Sequence, residues 1–78
     1  MLPKKFIEIL NKVNPEIMEN QDLDLVEEGI IESLDIMNLV AEIESVYKFD
    51  FDPDEIVPET FASAEALWNV VKSHGIED

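Results

Sequence analysis

Apolar residues recur along this chain at helical rather than strand spacing, in four blocks joined by loops of unequal length. The first block runs from about Pro3 to Asn14, with Phe6, Ile9, Leu10 and Val13 on one face. Pro3 suits a first helical position, where a missing N–H costs nothing. Pro15 closes the block, because a residue before proline avoids the helical region. Lys4 and Lys5 stand at the positive end of the helix dipole, which helix electrostatics alone does not favour.

Residues 15–32 form a long connection. Such a loop in a small domain is usually functional or carries a short turn of its own. Ile17, Leu23, Leu25, Val26, Ile30 and Ile31 supply apolar anchors for docking on the core. Gly29 offers backbone freedom just before the next helix.

The second helix spans Ser33 to Tyr47 and contains neither proline nor glycine. At roughly 100° per residue, Ile36, Leu39, Val40, Ile43 and Tyr47 share one broad arc, the expected core face. Leu34, Met37 and Ala41 cluster within roughly 60° on nearly the opposite side. Asp35, Asn38 and Glu42 flank them. A helix packed on one side needs only one apolar stripe. The second stripe is either covered by the short third helix or the long loop, or it is a partner-binding strip with an acidic rim.

The third helix is short. Asp52-Pro53-Asp54-Glu55 reads as N-cap, first-position proline and capping-box glutamate, with Pro58 ending the element. The fourth runs from about Ala64 to His74, with Ser63 as N-cap and Gly75 as terminator. Leu67, Val70, Val71 and His74 share a face, and Trp68 lies beside it at the core or its edge. Phe49-Asp50-Phe51-Asp52 alternates over four residues only and reads as a loop that drops one phenylalanine into the core. The expected fold is an all-α bundle of three longer helices and one short third helix, in one domain over residues 1–78.

Charge narrows the partners. The formal net charge is −14 over 78 residues. Lys4, Lys5 and Lys12 against Glu8 leave residues 1–15 at +2, whereas 18 acids against Lys48 and Lys72 leave the remainder at −16. Nucleic acid is a poor partner for such a surface, since phosphates need cationic neutralisation. Proteins with basic patches are the expected partners. No apolar run is long enough for a membrane span or secretory core, which suggests a cytoplasmic protein. There is no cysteine, hence no disulfide and no thiolate metal site. A chain this short has little room for a deep substrate pocket, and an autonomous enzyme is not expected.

The candidate chemistry lies at the start of the second helix, in Gly29-Ile30-Ile31-Glu32-Ser33-Leu34-Asp35. A serine at a helix start is exposed, and a phosphodiester there sits near free backbone N–H groups. From local sequence alone, Ser33 reads first as an N-cap, the commonest role of a serine at such a place. The run resembles the acyl carrier and peptidyl carrier protein family, in which a glycine precedes Asp-Ser-Leu or a close variant. The resemblance extends through Leu39-Val40-Ala41-Glu42-Ile43-Glu44 and Tyr47, through Phe51 with Pro53-Asp54-Glu55, and through Phe61 to Val71. It covers essentially the whole chain. The departure is Glu32, where the family usually has aspartate; the charge is kept on a longer side chain.

The resemblance implies a four-helix acyl-carrier-like bundle with a long first loop. It implies that a phosphopantetheinyl transferase attaches 4′-phosphopantetheine from coenzyme A to Ser33. An acyl-activating ligase or acyltransferase would then load an acyl or aminoacyl group as a thioester on the arm. The pathways open to such a carrier are fatty acid, polyketide, peptide or D-alanyl transfer. The arm supplies the thiol that this cysteine-free chain lacks. Leu34, Asp35, Met37, Ala41 and Glu42 match the family's docking surface, and a monomer is expected. The Gly-Ile-Ile-Glu-Ser run looks somewhat closer to stand-alone D-alanyl and peptidyl-type carriers than to fatty-acid carriers.

The alternative is an unmodified acidic interaction module that uses the Leu34/Met37/Ala41 strip. A minimal hydrolase built on Ser33 and His74 has no nucleophile elbow to support it, and His74 reads better as a C-terminal capping residue. Asp50-x-Asp52-x-Asp54 starts like a calcium loop, but the glycine position is Glu55 and the twelfth position is Phe61.

Overall fold

The computed structural model describes residues 2–77 and contains five α-helices. These are α1 (Lys4–Val13), α2 (Glu16–Glu19), α3 (Ser33–Tyr47), α4 (Pro58–Phe61) and α5 (Ala64–Ser73), with a 3-10 turn at Pro53–Glu55. There is no strand among the described residues, and no helix is long and apolar enough to cross a membrane. The radius of gyration is 11.2 Å, against about 11.5 Å expected of a folded chain of this length.

One contiguous core joins all five helices. Phe6 and Leu10 of α1, Ile17 of α2, Leu39 and Ile43 of α3, Phe61 of α4 and Val71 of α5 are buried to within 1% of complete. Trp68 is core rather than edge, tilted against Phe6 at 4.9 Å and against Tyr47 at 5.8 Å between ring centroids. The tilted geometry suits the aromatic quadrupole, so these rings add specificity to their burial. The position of Lys5, unfavourable to the helix dipole, has a compensation: its Nζ lies 4.8 Å from the centroid of the Tyr47 ring.

Pro15 closes α1 as expected and also opens the next helix, whereas Pro58 departs from expectation. Asn14 is extended, as a residue before proline should be, and α1 stops there. Pro15 itself then adopts helical dihedrals and opens α2, a single turn whose Ile17 is 1% exposed. Pro58 does not end the third helix. Val57 before it is extended (φ −135°, ψ 159°), so the expected short helix is the 3-10 turn alone, over before Pro58, and Pro58 starts a further single turn, α4, outside the expected elements. The missing proline N–H is harmless in a first turn and disruptive anywhere later.

The long connection is anchored by Ile17, Leu25 and Ile31, while Val26 and Ile30 are half-buried. Leu23 is not an anchor; it is 41% exposed. The Leu25 N–H donates to the Ala62 carbonyl at 2.8 Å, tying the loop to the end of α4. Asp24 Oδ1 accepts the Val26 and Glu27 N–H groups at 3.0 and 2.9 Å and opens a compact turn. Gly29, at φ +72°, closes it. The turn delivers the chain to Glu32 and the start of α3.

At the other end of α3, Lys48 is left-handed (φ 60°, ψ 51°) and its N–H donates to the Glu44 carbonyl. Glu44 Oε2 then accepts the Phe51 N–H at 2.9 Å. This bond turns the Phe49–Asp52 segment so that Phe51 is buried and Phe49 half-buried, as the four-residue alternation suggests.

Candidate functional site

Ser33 is the first residue of α3, not its N-cap. Glu32 occupies the cap, extended at φ −123°, ψ −179°, and forms a reciprocal capping box with Asp35. The Glu32 N–H donates to Asp35 Oδ2 at 3.2 Å. The cap position is therefore taken by Glu32, and Ser33 stands inside the helix as its first residue. Ser33 is exposed, and its hydroxyl has no hydrogen-bond partner among the described residues. Glu32 is thus half of the capping box of α3.

Asn14, a residue that carries no sequence signal for this role, holds the region together. Its Nδ2 donates to the Ile30 carbonyl at 3.1 Å and lies 3.4 Å from Asp35 Oδ2. Its Oδ1 accepts the Glu16 N–H at 3.0 Å, which caps α2. One amide thus links the end of α1, the start of α2, the segment before Ser33 and the cap of α3. Gly29 and the turn at 25–29 fix that segment from its other end.

The second apolar stripe of α3 is uncovered. Leu34 and Met37 are each 68% exposed, and Ala41 is exposed. Neither the 3-10 turn nor the long loop covers them, so the explanation by internal cover is removed. The opposite face is the core face, with Leu39, Ile43 and Tyr47 buried and Ile36 and Val40 half-buried. Between the two faces runs a groove of about 240 Å³ lined by Ile36, Met37, Val40, Ala41, Glu44 and Ile56. Ile56 and Val57, 44% and 36% exposed, continue the apolar surface beyond α3. Sequence periodicity within one helix could not show that Ile56, from a separate loop, completes this surface.

The rim is not uniformly free. Asp35 is half-buried and engaged in the capping box. Glu42 accepts from Lys12 Nζ through both oxygens, at 3.1 and 3.2 Å. Its charge is partly neutralised from α1, although an exposed pair of this kind holds weakly.

His74 occupies the C-cap of α5 through its backbone N–H, which donates to the Val71 and Lys72 carbonyls, while its side chain turns away to Glu55 instead of capping the helix. It does not meet Ser33: its Nε2 is 2.7 Å from Glu55 Oε1, in the 3-10 turn. The bond to His74 is the leading cause that holds the Glu55 carboxyl below its ordinary range, and the Asp52 N–H adds to it. A nucleophile activated by histidine is therefore not what this arrangement provides.

Comparison with protein-family models, with curated proteins and with solved structures finds no match to any of them.

Proposed function

We propose that this chain is a carrier protein of the acyl or peptidyl carrier type, holding an acyl or aminoacyl group as a thioester on 4′-phosphopantetheine attached to Ser33. The observation that carries the reading is the combination at the start of α3. Ser33 is exposed, and its hydroxyl is released from capping by Glu32 and Asp35. One turn away, the Leu34/Met37 strip stands open to a partner.

A hydroxyl with no internal partner costs little to present to an enzyme, because no buried bond is broken. In the attachment step the Ser33 oxygen would form a bond to phosphorus of coenzyme A. The pyrophosphate bond would break, adenosine 3′,5′-bisphosphate would leave, and the hydroxyl proton would pass to a base on the transferase. The arm supplies a thiol for the thioester. The chain's own residues cap the helix, keep Ser33 accessible and offer an apolar surface inside an acidic field. Partners with basic rims would be steered to that surface. Once docked, a tethered cargo reaches their active sites at high effective concentration.

The same strip would also serve an unmodified interaction module, and Ser33 separates the two. The test is peptide mapping by tandem mass spectrometry after incubation with coenzyme A and a broad-specificity phosphopantetheinyl transferase. A phosphopantetheine on the peptide containing Ser33 is expected. A folded, initially unmodified sample that stays unmodified would refute the carrier reading and leave the module.

A further inference from the structure

We propose that Asp52, Glu55 and His74 form a binding site for a single borderline divalent cation, of which Zn²⁺ is the type. The site is separate from Ser33 and does not depend on the carrier reading.

Each of the three residues offers one ligand atom, and these atoms lie within 4.8 Å of one another. They come from two elements, the 3-10 turn and the end of α5. The fold, rather than a run of acids in sequence, brings them together. The histidine distinguishes the cluster from the rest of this acidic surface. It is the chain's only one, and its ring is held against Phe49 at 4.8 Å and Phe51 at 6.5 Å between centroids. A fixed imidazole loses little freedom when it takes a metal.

The short contact between His74 Nε2 and Glu55 Oε1 is a place where one proton joins a nitrogen to a carboxylate oxygen. A metal ion replaces such a proton with the same two donors, each at about 2.0–2.2 Å. Oε1 also accepts the Asp52 N–H at 2.9 Å, so this bond and the contact with His74 converge on one oxygen. Asp52 is exposed and Glu55 and His74 half-buried, so an ion can enter without unfolding. One imidazole with two carboxylates suits zinc better than magnesium or calcium, which prefer all-oxygen shells. The remaining positions would hold water.

The experiment is calorimetric titration of the full-length protein with zinc chloride at moderate salt, beside three variants. Asp52→Asn keeps a good N-cap but weakens the ligand. His74→Gln keeps a polar side chain at the end of α5 but removes the imidazole. Asp50→Asn lowers the charge by the same amount as Asp52→Asn, next to the site but outside it. The expected result is saturable binding of one ion. Affinity should fall about 10-fold or more in Asp52→Asn and His74→Gln, and change less than about twofold in Asp50→Asn because salt screens a mere field effect. Equal affinity in all four proteins, or unsaturable binding of several ions, would overturn the proposal. A folded His74→Gln variant, checked by circular dichroism, that binds as well as the parent would do the same.

Discussion

Asn14 and Asp35 meet across the fold, with Nδ2 of the amide 3.4 Å from the carboxylate oxygen that also accepts the Glu32 N–H. Through this meeting the C-terminal end of α1 sets the cap of α3 and the segment that carries Ser33. The amide also donates to the Ile30 carbonyl and accepts from Glu16. Asn14→Ala should cost about 1–2 kcal/mol of stability, since it leaves part-buried groups without partners. Asn14→Asp keeps the bond from Glu16 but sets a second negative charge against Asp35, and should cost at least as much. Urea unfolding of the three proteins measures both. A loss in Asn14→Ala with none in Asn14→Asp would mean that the cap on α2, not the link to Asp35, carries the stability.

Lys48 is the only described non-glycine residue at positive φ. A left-handed side-chain residue costs about 1–2 kcal/mol, while glycine there loses about 0.4–1 kcal/mol through the freedom it adds to the unfolded chain. Lys48→Gly should therefore stabilise the fold by about 0.5–1 kcal/mol. Thermal unfolding tests this, and a lower melting temperature would contradict it.

The two faces of α3 should respond unequally to truncation. Ile43 is fully buried, and Ile43→Ala should destabilise by about 2–5 kcal/mol. Met37 is 68% exposed, and Met37→Ala should change stability by less than about 0.5 kcal/mol. Under the carrier proposal, Met37→Glu should raise the transferase KM while leaving the melting temperature nearly unchanged. Denaturant curves and modification kinetics on the same samples separate folding from docking.

Glu55 makes the contact with His74 dependent on acid. Its carboxyl is held below its ordinary value, first by the bond to His74 and then by the Asp52 N–H. A depressed carboxylate contributes stability that is present above its unfolded pKa, here 4.5, and is lost as pH falls through the folded value. Glu55→Gln should therefore be less stable than the parent at pH 6, with the gap closing as the pH drops below 4.5. The comparison must be between the two proteins, because protonation also relieves the general repulsion of so acidic a chain. A gap that widens on acidification would reverse the assignment.

Local signals carried much of this fold and long-range ones did not. The bounds of α3 are legible because a proline- and glycine-free run with two separable stripes leaves few alternatives to a helix. Ser63 as N-cap and Gly75 at positive φ are equally local, and both stand where chemistry asks for them. The extra turn α4 is less legible, because Pro58 is compatible with stopping one element or starting another. The choice is made by Thr60 and Phe61, which pack inward from α4. At the candidate site, the exposure of Leu34 and Met37 follows from periodicity only as one of two options. The release of Ser33 from capping depends on which of two adjacent residues, Glu32 or Ser33, takes the cap. Asn14, at a distance of 21 residues from Asp35, decides part of that through a contact that no local pattern records.

Under the carrier proposal the Ser33 hydroxyl is presented for covalent attachment and not for capping. The intact mass of the initially unmodified protein after incubation with coenzyme A and a phosphopantetheinyl transferase tests it most directly, with Ser33→Ala alongside. The expected result is a gain of one phosphopantetheine in the parent, none in Ser33→Ala, and the same melting temperature for both before modification, since Glu32 holds the cap. No gain in a folded parent, or a Ser33→Ala variant that has lost the stability of a missing N-cap, would contradict it.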